Sequence, residues 1–138
     1  MRVDEIVNNK PKKVRKGYQA FELDNSSREK LREVFPPKFP EFIGHHITYR
    51  MGVPETLELP EATSFVVVGY ACDDNGLECL VVEVDGTTTR LDGKTYHITW
   101  SLDRSAGFKP VSSNEVIARN GYTRLDRTIN ISATAKFF

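Results

Sequence analysis

The chain has 138 residues, of which 39% are hydrophobic and 28% charged, a composition typical of one globular domain. Its 19 Lys and Arg residues balance its 19 Asp and Glu residues, so the formal net charge is zero and bulk electrostatic binding to long nucleic acids is not expected. No stretch approaches the roughly 20 apolar residues of a membrane span, and the first residues lack a signal peptide's apolar run, so we expect a cytoplasmic protein.

The N-terminal residues 1–16 form a polar segment rich in lysine and arginine. We interpret this segment as a basic, solvated arm, and the alternative is a segment that attracts phosphate groups toward the protein. The remaining residues 17–138 are then expected to form a single domain.

A strand followed by a helix is predicted at the start of this domain. Residues 17–23 alternate in the manner of a β-strand. Asp-Asn-Ser-Ser at residues 24–27, with Glu29 shortly after, predicts a helix N-terminus, and two prolines end the helix. The side chains expected on its buried face are Leu31, Val34 and Phe35.

A β-hairpin is predicted from two apolar runs, residues 64–71 and 77–84, which flank an Asn-Gly pair. This pair favours a two-residue type I′ turn, which would make Cys72 and Cys79 direct cross-strand neighbours. Since nothing in the sequence indicates export, we expect both thiols to be free.

The other segments predict further strands and a short helical turn that begins at Ser112 or Ser113. The expected strands are two motif strands at about 43–50 and 95–102 and closing strands at 122–125 and 129–137. Together these elements predict a strand-rich α+β fold.

Two of the three histidines begin the same tripeptide, His-Ile-Thr, at residues 46–48 and 97–99. Residues two apart on a strand share a face, so each copy places an imidazole and a hydroxyl on one side and an isoleucine on the other. The polar pairs are His46 with Thr48 and His97 with Thr99. Because a polar stripe on a core-forming strand is costly unless it lines a water-filled cleft, the two stripes suggest one shared cleft. The third histidine, His45, should face away from it.

The doubled tripeptide resembles the two His-x-Thr/Ser motifs of the 2H phosphoesterase superfamily, which includes RNA-ligase-like cyclic phosphodiesterases and phage anti-CBASS nucleases that cut cyclic oligonucleotides. The order of predicted elements over residues 17–102 is similar, as is the Gly-Tyr-x-x-Phe segment at 17–21. The resemblance implies a bilobed α+β fold with pseudo-two-fold symmetry, in which antiparallel sheets line a central cleft. It also implies a metal-independent hydrolase without a cofactor, whose catalytic residues are His46, Thr48, His97 and Thr99.

Paired imidazoles suit phosphodiester cleavage, because one ring can begin neutral as the base while the other begins protonated as the acid. The threonine hydroxyls would donate hydrogen bonds to the non-bridging oxygens. No His/Cys/Asp cluster in the sequence has metal-site spacing. The residues alone leave open which histidine is the base.

Three further residues are expected to contact the substrate. The resemblance implies that Tyr18 stacks on a base, Arg50 lies on the motif face of its predicted strand, and Lys109 follows the second motif in a loop. For Asn114 and Glu115 a structural role is favoured over contact with a nucleobase edge.

The sequence and the resemblance predict a phosphodiesterase that cleaves cyclic di- or trinucleotide signals and so serves phage immune evasion of the anti-CBASS kind. The alternatives are a 2′,3′-cyclic phosphodiesterase acting on RNA ends, a non-catalytic nucleotide-binding 2H module, and an unrelated α+β interaction domain. No membrane association or protein partner is expected, the location is the host cytoplasm if the chain is phage-encoded, and the oligomeric state stays open.

Overall fold

The computed structural model describes residues 14–138, so most of the predicted basic arm, residues 1–13, lies outside the described residues. The strands are β1 (Lys16–Leu23), β2 (Glu41–Phe42), β3 (His46–Pro54), β4 (Phe65–Asp73), β5 (Leu77–Val84), β6 (His97–Leu102), β7 (Thr123–Ile131) and β8 (Ala133–Phe137). The helices are α1 (Asn25–Val34), α2 (Ser112–Asn120) and a 3-10 turn at Arg104–Ala106. The predicted α+β class is therefore confirmed. Over the described residues, neither α-helix has the length and apolar character needed to cross a bilayer.

All eight strands of residues 14–138 belong to one antiparallel sheet, which curls into a half-barrel. The strand order is β7-β4-β5-β6-β3-β1-β8, and the short β2 also pairs with β6. The edge strands β7 and β8 are consecutive in the chain and are separated by Ser132 alone. The two edges of the sheet must therefore meet at this corner, which requires the sheet to curl.

Both faces of the sheet are covered around β5, where alternate residues enter two separate apolar clusters. Leu80 and Val82 belong to the main core inside the curl, whereas Cys79 and Val81 pack in a second cluster with residues of α2. This arrangement explains why β5 is a nearly continuous apolar run rather than an alternating one.

Helix α1 begins where the sequence predicts, since the Asp24 carboxylate accepts a hydrogen bond from the Ser27 N–H at 2.7 Å. The expectation that Val34 is buried is wrong: it is 54% exposed. The helix ends at this residue, and the next ring, that of Phe35, packs parallel to Tyr70 with centroids 6.0 Å apart. Phe35 therefore provides the contact expected from the last helical turn.

The predicted closing strand at 129–137 is divided at Ser132 into the end of β7 and the whole of β8. The Ser132 N–H donates to the Ser27 hydroxyl at 2.8 Å, and the Ser132 carbonyl accepts from the Asp24 N–H at 3.1 Å. The start of α1 thus fixes the corner at which the chain passes from one sheet edge to the other.

The predicted cross-strand pairing of Cys72 with Cys79 is wrong. In the β4–β5 hairpin Cys72 lies opposite Glu78 and Cys79 opposite Ala71, and both cysteines are free. The loop holds three residues instead of two, because Asp73 pairs with Leu77 and its carboxylate accepts from the Asn75 N–H at 2.9 Å. One extra loop residue shifts the register by one and separates the two thiols.

Candidate active site

The two His-Ile-Thr copies lie on neighbouring antiparallel strands, β3 and β6, and their central residues, Ile47 and Ile98, are direct cross-strand partners. Both isoleucines are fully buried in the main core, so the residues on either side of each of them face the opposite side of the sheet. Antiparallel pairing about Ile47 and Ile98 sets each histidine beside the threonine of the other copy.

The four polar side chains of the repeat line one cleft of about 400 Å³. These side chains are His46, Thr48, His97 and Thr99. The structure therefore brings together all four residues that the sequence analysis assigns to catalysis.

The segment that leads into β3 is tied to β6 by its backbone. The N–H groups of Ile43 and Gly44 donate to the carbonyls of Trp100 and Thr99 at 2.9 and 3.0 Å. Gly44 has φ +49°, and a Cβ at this position would lie 2.7 Å from the Phe42 ring. A glycine is required here, and the turn it makes sets the entry of His46 into the cleft.

A cation pair from the loop between β5 and β6 also lines the cleft: Arg90 and Lys94. Within the described chain, no carboxylate belongs to this lining. The Arg90 side chain is 3% exposed, and its Nε and Nη2 donate to the two oxygens of Asp92 at 3.2 and 2.6 Å. This contact lowers the pKa of Asp92 to about 2, so the carboxylate stays ionised and holds the guanidinium in place. The sequence analysis missed both cations, for which only their position in a polar turn gives a signal.

The imidazole of His97 is held in one tautomer by the backbone. Its Nδ1 lies 2.8 Å from the Thr95 carbonyl oxygen, which can only accept, so Nδ1 carries the hydrogen. Nε2 of the neutral ring then has a free lone pair. Burial lowers the pKa of His97 to about 4, with smaller lowering contributions from Arg90 and Lys94 and an opposing one from the hydrogen bond to Thr95, so the ring is neutral at pH 7.

The imidazole of His46 has a different partner, because its Nδ1 lies 2.9 Å from Nδ1 of His45. Burial lowers the pKa of His46 to about 4, with smaller lowering contributions from His45 and His97 and an opposing one from Glu22. His46 is therefore neutral at pH 7 as well. Unlike His97, which contacts a backbone carbonyl, it contacts a second ionisable side chain, that of His45.

Two aromatic rings flank His46, Tyr18 at 5.5 Å and Phe138 at 5.6 Å between ring centroids. Tyr18 also stacks on Phe138 at 5.3 Å, and their backbones pair through hydrogen bonds of 3.1 and 2.8 Å. Gly17 allows this approach, because a Cβ there would lie 2.0 Å from the Phe138 carbonyl oxygen. The sequence analysis did not anticipate Phe138, which lies far from both motifs in the chain.

The two threonines differ in how far their hydroxyls are engaged. The Thr99 hydroxyl donates to the Pro110 carbonyl at 3.0 Å and lies 2.8 Å from the Ser113 hydroxyl. The half-buried Thr48 hydroxyl has no hydrogen bond to another described residue. Thr48 is thus free to donate to a ligand, whereas Thr99 must first release Pro110.

Of the three predicted substrate-binding residues, the structure places Tyr18 in the cleft lining and leaves Arg50 and Lys109 outside it, both exposed. A β-bulge explains Arg50: Ala20 pairs with Thr48 and Gln19 with Arg50, so Tyr49 is an extra residue in β3. The bulge reverses the alternation, and Met51 lines the cleft instead.

Three other residues weighed from the sequence have mixed placements. His45 does not line the cleft, as its side of the strand predicts, but its ring contacts His46. Asn114 lines the cleft, and its Oδ1 is buried without a hydrogen-bond partner among the described residues. Glu115 is exposed and lies 3.9 Å from Arg119 on the same helix.

The site therefore combines two neutral imidazoles, one free hydroxyl, two cations and an aromatic wall, which is a set suited to bind an anion and move protons around it. No family model, curated protein or solved structure matches the chain.

Proposed function

We propose that the protein is a phosphodiesterase of the 2H type that cleaves nucleotide phosphodiesters. The observation that carries this proposal is the pairing of Ile47 with Ile98, which directs two imidazoles and two hydroxyls into one cleft. The near-symmetry of the two tripeptides about this pair supports a pseudo-two-fold fold of the 2H kind, with the cleft on the local axis.

Two imidazoles are sufficient for the proton transfers of this reaction once the bound anion has led one of them to take up a proton from solvent. One Nε2 takes the proton of the attacking water or 2′-hydroxyl as the new P–O bond forms. The other ring, protonated when the substrate binds, gives its proton to the oxygen of the P–O bond that breaks. The charge that grows on the non-bridging oxygens is stabilised by the Thr48 hydroxyl and by the nearby cations.

The electrostatics of the cleft favour an anionic substrate. Arg90 and Lys94 line it, and no carboxylate does so in the part of the chain that the structure describes. These cations help to keep the pKa of His97 low in the free protein. A bound phosphodiester offsets their charge and raises the pKa of the imidazoles, so substrate binding itself supplies the acid form.

The size of the cleft favours a small substrate. A volume of about 400 Å³ lies within the range of sites that enclose one small molecule and is too small for an RNA helix. The ring wall of Tyr18 and Phe138 offers a stacking surface for a base. Cyclic di- or trinucleotides are therefore our first choice of substrate, ahead of 2′,3′-cyclic RNA ends, and a reducing cytoplasm suits the two free thiols.

A non-catalytic nucleotide-binding module is the second candidate. It is favoured by one observation, the engagement of the Thr99 hydroxyl by Pro110 and Ser113, which occupies one of the two expected oxyanion donors. A protein of this kind would bind the same ligands without turnover.

One experiment separates the two functions. The protein is incubated in EDTA with cyclic oligonucleotides and 2′,3′-cyclic nucleotides, alongside His46→Ala, His97→Ala and the control Arg50→Ala, whose exposed side chain lies outside the cleft. Cleavage that survives EDTA and Arg50→Ala but is lost in both histidine variants supports the phosphodiesterase. Binding without turnover supports the module, and neither binding nor turnover across the panel overturns both.

A further inference from the structure

A chain of three ionisable side chains leads from the protein surface to the cleft. Glu22 on β1 lies opposite His46 on β3, and its Oε2 is 3.1 Å from Nε2 of His45. Nδ1 of His45 is in turn 2.9 Å from Nδ1 of His46. The side chain of His45 is 47% exposed, so the chain joins a solvent-accessible ring to one that lines the cleft.

The position of each hydrogen in this chain follows from its partners. An ionised carboxylate can only accept, so Nε2 of His45 carries a hydrogen and donates it to Glu22. In neutral His45, Nδ1 then has a lone pair, and Nδ1 of His46 must donate to it. The neutral chain therefore leaves Nε2 of His46 as the unprotonated nitrogen.

When the hydrogen-bonded side chains of Glu22, His45 and His46 take up one proton, the positive charge can come to lie beside the Glu22 carboxylate. A proton taken up at Nε2 of His46 makes that ring cationic, and its Nδ1 proton can pass across the 2.9 Å contact to His45. The resulting His45 cation is paired with Glu22, while His46 keeps its new Nε2–H. Atoms and charge balance, because one proton enters at the cleft and one positive charge appears beside Glu22.

The opposite imidazole, His97, has no hydrogen-bonded carboxylate among the described residues, although its hydrogen bond to the Thr95 carbonyl also favours the protonated ring. His97 donates to a backbone carbonyl, and the charged groups near it are the cations Arg90 and Lys94. Since the two imidazoles have the same pKa of about 4 in the free protein, the difference between them lies in their partners: a proton at His46 can pass toward a carboxylate, whereas one at His97 stays beside two cations.

We propose that Glu22 and His45 are positioning residues that fix the tautomer of His46 and make it the proton donor of the cleft, which leaves His97 as the base. This assignment rests on the proposed phosphodiesterase function, but the hydrogen-bonded chain of Glu22, His45 and His46 is a property of the free protein.

The other charged and titratable groups around this chain are compatible with these roles. Lys136 on β8 holds the second oxygen of Glu22 at 2.6 Å, which lowers the pKa of Glu22 and keeps it ionised. Burial raises the pKa of Tyr18 on β1, so its phenol stays neutral. His97 faces His46 from β6, and Arg28 on α1 donates to the Gly44 carbonyl at 2.9 Å. Glu22 is the group in this set that favours a protonated His46.

The first test measures imidazole ¹⁵N chemical shifts in the free full-length protein, so it needs no activity. In the wild type above its pKa, we expect His46 to show a protonated Nδ1 and an unprotonated Nε2. His45→Phe removes the acceptor and should give a mixture of tautomers, whereas His45→Gln supplies an amide oxygen and should restore the Nδ1–H form. A wild-type His46 with its hydrogen on Nε2 overturns the proposal.

The second test is Glu22→Gln, which keeps a hydrogen-bond acceptor and removes the charge. We expect the pKa of His46 to fall by about half a unit to one unit, because a carboxylate acting through one intervening ring gives less than a direct ion pair. The matched control is Glu41→Gln, which removes a carboxylate of another surface ion pair, with Arg104 at 2.7 Å, and should leave His46 unchanged. An equal pKa in Glu22→Gln and the wild type overturns the proposal.

The pH dependence of kcat/KM links the chain to catalysis. In Glu22→Gln the alkaline limb, which reports the acid, should move to lower pH, and the acid limb, which reports His97, should stay in place. Movement of the acid limb instead overturns the assignment of roles. A protein without turnover that still shows the Glu22-dependent pKa of His46 would refute the proposed function and leave the hydrogen-bonded chain established.

Discussion

Ile47 on β3 lies directly opposite Ile98 on β6, and both side chains are fully buried in the main core. This one pair fixes the geometry of the cleft, because the residues beside each isoleucine must face the other side of the sheet. The isoleucines therefore act as anchors for the four polar side chains. Their removal should cost both stability and alignment of the site.

We expect Ile47→Ala and Ile98→Ala each to lower the free energy of unfolding by about 2–5 kcal/mol, the range for a large core side chain truncated to alanine. Urea denaturation measures this loss. The control Leu59→Ala, at a side chain that is 41% exposed, should change stability by at most about 0.5 kcal/mol. Losses of less than 1 kcal/mol in both isoleucine variants would show that the pair does not anchor the strands.

The two threonines should give opposite results when each is changed to valine. Thr48→Val removes a hydroxyl that has no described protein partner, so we expect little loss of stability and a fall in kcat of about 10²-fold, as for a lost oxyanion donor. Thr99→Val leaves Pro110 and Ser113 without their partner and should cost about 1–3 kcal/mol of stability. Steady-state kinetics and urea denaturation on both variants check this. An equal fall in kcat in the two variants would contradict the difference between the two hydroxyls.

The class of the fold and the faces of the two motifs could be predicted from local patterns. Alternation within each tripeptide depends only on strand geometry, and the buried Ile47 and Ile98 have the faces it predicts. The register between strands is not local. The bulge at Tyr49 brings Met51 into the cleft in place of Arg50, and nothing within β3 alone indicates that extra residue.

The site residues that the sequence analysis did not anticipate come from segments far from the two motifs. Arg90 and Lys94 reach the cleft from the loop before β6, and Phe138, which follows β8, reaches His46 because β8 pairs with β1 and β1 pairs with β3. The corner at Ser132, where the chain passes from β7 to β8, is concealed by the periodic pattern over 129–137. Pairing between strands that are far apart in the sequence cannot be predicted from the pattern of each strand alone.

Removing one cleft cation should weaken the binding of an anion in a salt-dependent way. We expect Lys94→Gln to raise the Kd for a non-hydrolysable phosphodiester by about 5- to 10-fold at low salt, and less at about 0.5 M salt, because ions screen the attraction. The control Lys109→Gln makes the same change at an exposed residue outside the cleft and should stay within about twofold. Titration calorimetry measures both, and an equal weakening in the two variants would assign Lys109 to the binding site.

Binding of the phosphodiester should take up a proton, because both imidazoles have a pKa of about 4 in the free protein. The anion raises these pKa values, so affinity should rise as the pH falls from 7 to about 5. Calorimetry in two buffers of different ionisation enthalpy counts the protons taken up. A Kd independent of pH over this range would show that the histidines do not titrate on binding.

The stability of the free protein should fall over the same pH range. The pKa of His97 is about 4 in the folded protein and about 6.5 in an unfolded chain. Above about pH 6.5 the ring is neutral in both states and stability does not depend on it. As the pH falls from about 6.5 toward 4, only the unfolded state binds the proton, so the free energy of unfolding falls. For this buried ring the loss between pH 7 and 5 is about 2 kcal/mol, at about 1.4 kcal/mol for each unit over which only the unfolded state binds the proton. His97→Asn keeps an amide that can donate to the Thr95 carbonyl and cannot titrate, so its unfolding free energy should depend less on pH. Urea denaturation at pH 7, 6 and 5 measures the difference, and parallel curves for the variant and the wild type would show that His97 is not held neutral by burial.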